Sequence, residues 1–146
     1  MQIVLDDGYQ FGLGVFETIS VEHNVPILLS WHLERLHRSL EALGIQQTVE
    51  ESYVLSWLSA HPGEHQALKI IVSEKNLTLT MRPNPYTHEQ IRKGFCLSYS
   101  NIYRNETSPL VYHKTLNYGD CILEKRRAKE TGSDELIFCN SRGEIC

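Results

Sequence analysis

Lys114 stands in the run Tyr112-His-Lys-Thr-Leu-Asn-Tyr118, between a polar stretch and a predicted helix, where a side chain can face a cleft between domains. A lysine forms a Schiff base only through its neutral amine, which needs partial desolvation or neighbouring positive charge. Taken alone, a lysine here reads as a surface residue, and only its context changes that. Arg35 lies on the helix opened by Ser30, with Ser39 one turn later on the same side, so a guanidinium fork and a hydroxyl can face an anion such as phosphate. The same helix carries His32, Glu34, His37, Arg38 and Glu41, and taken by itself its polar side reads as a solvated face. Arg104, in the run Arg104-Asn-Glu-Thr-Ser-Pro-Leu110, suits either a bidentate grip on a substrate carboxylate or an exposed loop. The histidines carry no expectation of a metal site. Gly8-x-x-x-Gly12-x-Gly14 precedes a strand rather than a helix, which points to tight backbone packing and away from a nucleotide loop.

The elements that must position these residues follow from periodicity. Residues 15–21 alternate apolar and polar types as a half-buried strand does. Ser30 is the expected N-cap of an amphipathic helix bearing Leu33, Leu36, Leu40 and Leu43 and stopped at Gly44. Thr48-x-x-Glu51 is the expected capping box of a second helix, with Val54, Leu55 and Leu58 on its apolar face, ending at His61-Pro-Gly63. Two β-rich runs, 67–73 and 76–81, predict a hairpin turning at Lys75-Asn76. Thr87-x-x-Gln90 can cap a short helix, and residues 95–99 alternate again as a strand. The polar run 101–109 reads as a linker, after which 118–131 predicts a helix closed by Gly132 and 135–139 a strand followed by the turn Ser141-Arg-Gly143. The expected organisation is an α+β sandwich over residues 1–104, a linker at 105–110 and the beginning of a second, incomplete domain over 111–146.

At 146 residues and 41% hydrophobic content the chain can bury a real core. A net charge of -4 offers no basic surface for nucleic acid or an anionic membrane, which favours a small-molecule or protein partner. Cys96, Cys121, Cys139 and Cys146 occur singly and are expected as reduced, buried thiols. With no leader pattern and no membrane-length apolar run, the expected location is the cytoplasm.

Four separated blocks carry a family resemblance. Asp7-Gly-Tyr-Gln-Phe-Gly-Leu-Gly-Val-Phe-Glu-Thr18 and Pro26-Ile-Leu-Leu-x-x-His32-Leu-Glu-Arg35-Leu resemble, in order and spacing, the opening blocks of fold-type-IV pyridoxal-phosphate (PLP) enzymes. Lys114-Thr-Leu-Asn-Tyr118 and Ala128-x-x-x-Gly132-x-Asp-Glu135-Leu-Ile-Phe-x-Asn-x-x-Gly143 resemble the same family's cofactor-lysine segment and following strand. This is the family of aminodeoxychorismate lyase and of the branched-chain and D-amino-acid aminotransferases. The resemblance covers essentially the whole chain, but only about the first three-fifths of a typical two-domain member.

It implies the D-amino-acid aminotransferase-like fold, PLP as cofactor, a small amino substrate and a homodimer. It also implies roles: Lys114 carries the cofactor and shuttles the proton, Arg35 holds its phosphate, Tyr118 approaches its ring hydroxyl, and Arg104 meets the substrate carboxylate. The Phe16-Glu-Thr18 block, the Pro26–His32 run and the 105–110 loop look lyase-like, while Gly8-Tyr-Gln-Phe-Gly12 resembles D-amino-acid aminotransferases, so an aminotransferase stays open as the alternative. A third expectation is a noncatalytic truncated domain. The resemblance stops before the glutamate that pairs with the pyridinium nitrogen and before the later phosphate loops, and on that ground these residues alone are expected to bind PLP weakly or not at all.

Overall fold

Along the alternating run at 15–21, Val15, Ile19 and Val21 turn to one side and are buried, which makes this segment the centre of a sheet. The computed structural model describes residues 2–146. Strand β1 (Gly14–Glu22) pairs antiparallel with the short β2 (Val25–Pro26) and with β3 (His65–Ser73), which pairs antiparallel with β4 (Leu77–Pro83), giving the order β2-β1-β3-β4. Helices α2 (Leu29–Ala42) and α3 (Glu51–Ala60) supply Leu33, Leu36, Leu40, Val54 and Leu58 to a core shared with Val15, Ile19, Leu68, Ile70 and Val72. Sheet and helices thus form the expected two-layer α+β sandwich.

Both expected helix starts move. The cap of α2 is Leu28, left-handed at φ 55°, with no side-chain hydrogen bond, and Ser30 lies inside the first turn. Burial of Leu29 in the core starts the helix straight out of β2, so tertiary packing overrides the local cap preference. Thr48 and Glu51 form no capping box, and Glu50 occupies the cap position of α3. Val49 is buried and donates its amide to His37 Nε2 at 3.1 Å, which fixes the approach to α3 by other means.

An unanticipated helix, α1 (Asp7–Phe11), precedes β1. Its cap Asp6 is buried and accepts hydrogen bonds from Tyr9 N (3.0 Å), Ser73 Oγ (2.6 Å), Lys75 N (2.9 Å) and Asn76 Nδ2 (2.9 Å), so one carboxylate ties α1 to the β3–β4 turn. The Ser73 hydroxyl, with the neighbouring amides, outweighs burial and holds the Asp6 carboxyl at about 2 against an ordinary 3.8. Because the folded value is depressed, this contribution to stability is complete above pH 3.8 and disappears as the pH falls toward 2. Asp6→Asn is therefore expected to lower the urea midpoint at neutral pH by an amount that shrinks through this window. A difference from wild type that stays constant across the titration would contradict the assignment.

The chain divides into two compact units, the first running to Pro85 and taking in Lys114–Leu116, the second made of Tyr86–His113 and Asn117–Cys146. This division falls earlier than the linker expected at 105–110. In the second unit Thr87 and Gln90 form the expected capping box of α4 (His88–Lys93). Strand β5 (Leu97–Arg104) takes in residues 101–104 of the polar run, ending before the linker expected at 105–110, and pairs in parallel with β6 (Glu135–Asn140); the run ends in a 3-10 turn at Pro109–Tyr112. Helix α5 (Gly119–Glu130) lies against β5 and β6. The cysteines are free, as expected, but none is buried: Cys96 and Cys146 are exposed, and Cys121 and Cys139 half-buried. Among the described residues no helix is long and apolar enough to cross a membrane.

Candidate active site

The lysine segment is stitched to the start of β1. Lys114 O accepts from Phe16 N, Leu116 N donates to Gly14 O, both at 2.9 Å, and Thr115 bridges Val15. Thr115 is buried, Lys114 half-buried, and the Lys114 ammonium lies 4.4 Å from the centroid of the Phe16 ring. A second ammonium, that of Lys69 on β3, lies 4.6 Å from the same centroid. The register sets this up, since Phe16 faces Ile71 and Thr18 faces Lys69 across the β1–β3 pair, all on the side away from the core residues Leu68 and Ile70. Lys69 went unremarked in the sequence.

Gly14 makes this junction possible. A Cβ there would lie 2.8 Å from Val72 O and 2.8 Å from Leu116 Cδ1, so the expected reading of the glycine run as tight packing has a specific cause at this position. Gly14→Ala must push a strand carbonyl or the lysine segment away and is expected to cost about 1–3 kcal/mol. Comparing thermal melts of the variant and wild type checks this, and an unchanged melt would mean the junction is looser than drawn.

Arg35 meets β1 at the next residue and on the other face. Its Nε and Nη2 donate to Glu17 Oε1 and Oε2, each at 2.6 Å, and His32 Nδ1 lies 2.8 Å from Oε2. Glu17 is 1% exposed and Arg35 50%. Burial is the largest influence on Glu17 and disfavours its charge, but the hydrogen bonds from Arg35 and His32 outweigh it and hold the carboxyl below its ordinary value. The hydrogen bond to Glu17 likewise raises Arg35. Ser39 is buried and gives its hydroxyl to Arg35 O at 2.9 Å, so the anion-facing role first considered for it is taken up by the helix backbone. Neither Glu17 nor His32 was singled out as a site residue.

Arg104 and Tyr118 belong to the second unit. Arg104 is the last residue of β5 and not part of a loop; its Nη1 is 3.8 Å from Cys121 Sγ and its Cζ 5.6 Å from the Phe138 ring centroid. Tyr118 is the N-cap residue of α5 and makes no side-chain capping bond to the first-turn amides; its phenol instead hydrogen-bonds the Cys121 side chain. Burial first, and then the Cys121 thiol, push its phenol above the ordinary value. The sequence-predicted residues therefore form two groups: Lys114 and Arg35, which contact the neighbouring β1 residues Phe16 and Glu17 on opposite faces of the strand, and Arg104 and Tyr118 about Cys121.

The family model for class IV amino-transferases matches residues 14–146, and the chain belongs to that family. It is 45% identical over 53 residues to aminodeoxychorismate lyase of Bacillus subtilis, a match covering 36% of this chain and 18% of the relative. A fold IV-transaminase from Curtobacterium pusillum superposes with a TM-score of 0.79 at 27% identity, over 99% of this chain and 57% of that one. The 4-amino-4-deoxychorismate lyase of Pseudomonas aeruginosa superposes with a TM-score of 0.80 over 99% and 59%; at 22% identity this is a likeness of fold. The chain thus spans less than two thirds of the relatives it matches.

Proposed function

We propose that the protein is a PLP-dependent lyase acting on 4-amino-4-deoxychorismate and yielding 4-aminobenzoate and pyruvate, with Lys114 as the cofactor-bearing and proton-transferring residue. The observation that carries this reading is the lacing of residues 114–116 onto Gly14 and Phe16, which holds a half-buried amine at a fixed place in a class IV chain. The donor set fits the cofactor: an amine for its aldehyde, and a guanidinium for its phosphate whose Nη1 side is left open by Glu17. Bound PLP supplies the electron sink. The work of the chain is to hold the phosphate through Arg35, to keep Lys114 where it can take a proton from the substrate carbon, and to offer Lys69 to an anionic substrate as a point charge. Arg104 is proposed for a substrate carboxylate and Tyr118 for the ring hydroxyl, and the proposed assembly is a homodimer.

The Bacillus subtilis match supports the lyase reading, and the likeness to the fold IV-transaminase keeps the aminotransferase as the second. Supplying the protein and PLP with 4-amino-4-deoxychorismate, and separately with branched-chain or D-amino acids plus 2-oxoglutarate, distinguishes the two. Release of 4-aminobenzoate supports the lyase; sustained glutamate formation would replace it by the aminotransferase, and neither would leave a noncatalytic domain.

A further inference from the structure

We infer that Glu17 is a positioning residue, whose buried carboxylate fixes the plane of the Arg35 guanidinium so that its free edge forms a pre-oriented phosphate fork. This inference rests on the proposed phosphate role of Arg35. Along β1 the inward side chains are Val15, Glu17, Ile19 and Val21, three of them part of the apolar core and one an acid. A buried carboxylate on a central strand is costly to desolvate, and an apolar residue of similar size would serve the packing at least as well. A carboxylate in this place is better accounted for by a role beyond stability.

The geometry supplies one. Glu17 takes Arg35 by Nε and Nη2, a two-point grip on one edge of a planar group. The opposite edge, with both Nη1 hydrogens and the outer Nη2 hydrogen, has no partner among the described residues, and the side chain is half exposed. An arginine gripped in this way has already lost most of its rotamer freedom, so an incoming phosphate need not impose that order. His32 on α2 and Arg35 together satisfy the acid from the helix side, and His32 leaves the Arg35 grip intact by using only Oε2. Without the grip, Arg35 is an ordinary mobile arginine on an exposed helix position.

Nitrogen NMR of the Arg35 Nε–H in the full 146-residue chain, titrated with PLP or with pyridoxal, tests this. In wild type the Nε–H is expected to be protected from solvent exchange, to shift at saturating PLP, raised as far as the weak binding expected of these residues demands, and not to shift with pyridoxal at the same concentration. Glu17→Gln keeps the shape of the side chain but removes its charge. Glu17→Asp keeps the charge but withdraws it by one methylene. Both are expected to release the Nε–H into fast exchange and to raise the PLP concentration needed by about tenfold. Arg35→Gln should remove the distinction between PLP and pyridoxal, followed on the neighbouring amides. If Arg35→Gln does so while both Glu17 variants respond as wild type, Arg35 holds phosphate and the positioning role is overturned. If Arg35→Gln titrates as wild type does, or neither compound perturbs the wild-type resonance, the phosphate reading fails and this inference with it. The wild-type exchange rate needs no variant: a Nε–H exchanging as fast as that of free arginine would overturn the proposal directly.

Discussion

Replacing Lys114 by arginine is expected to abolish the borohydride-stable adduct between the protein and PLP, and to lower whatever lyase or transaminase turnover the wild type shows by on the order of 10³-fold or more. Arginine separates two roles that lysine combines. It retains a permanent positive charge and stacks on an aromatic ring at least as well, so the contact with Phe16 and the local charge survive. It has no accessible neutral form, so neither nucleophilic attack on an aldehyde nor proton abstraction remains. The backbone bonds that hold the segment involve Lys114 O and Leu116 N and do not depend on the side chain, so the fold should be unaffected. Lys69 provides the internal control, because its ammonium lies against the same ring. Peptide mapping after reduction should find the label on Lys114 in wild type and on no single residue in the variant. A label on Lys69 in the wild-type protein would transfer the reactive role to β3 and overturn the assignment of Lys114.

That control could not have been chosen from the sequence, and the reason is physical. Periodicity reports which face a residue occupies but not what lies across the sheet. The register Thr18 to Lys69 joins residues far apart in the chain, so the second lysine at Phe16 emerges only with the fold. Glu17 is a different case, because it shares the parity of Val15, Ile19 and Val21, and counting every second residue along β1 places it inward. The polar type of the residue masked that signal. Local patterns were otherwise legible where the determinant was local: the Thr87–Gln90 box, the β3–β4 hairpin and α5 all stand where the sequence put them. Where the determinant was distant, the reading failed. Helix α1 depends on Asp6 reaching the turn at Ser73, and β5, expected only over 95–99, continues to Arg104 along its parallel partner β6. For the site, the lysine and the arginine were proposed from a resemblance to a family, while the contact between Arg35 and Glu17 emerges only with the fold.

Leu36→Ala is expected to be the most damaging of the conservative core truncations near the site, costing about 2–5 kcal/mol. Leu36 is 1% exposed and sits in the cluster formed by Leu33, Leu40, Val15, Ile19 and the inward residues of β3. Its position matters as much as its burial. It follows Arg35 directly on α2, so the same turn that buries Leu36 against the sheet aims Arg35 at Glu17 on β1. A cavity beneath that turn removes packing from a rigid scaffold that a two-point hydrogen bond requires. For a domain whose whole stability is on the order of 5–15 kcal/mol, the loss is a substantial fraction. Urea denaturation should show a lowered midpoint with an unchanged slope, as a loss of stability without a change in the surface exposed requires. Leu36→Met, which preserves volume, should cost less than about 1.5 kcal/mol. The two variants together separate packing from chemistry: if Leu36→Ala retained the wild-type midpoint, α2 would be held by its polar contacts to Glu17 and not by its apolar face, and the Arg35–Glu17 pair would have to be reassigned from orienting a ligand-binding group to holding the helix.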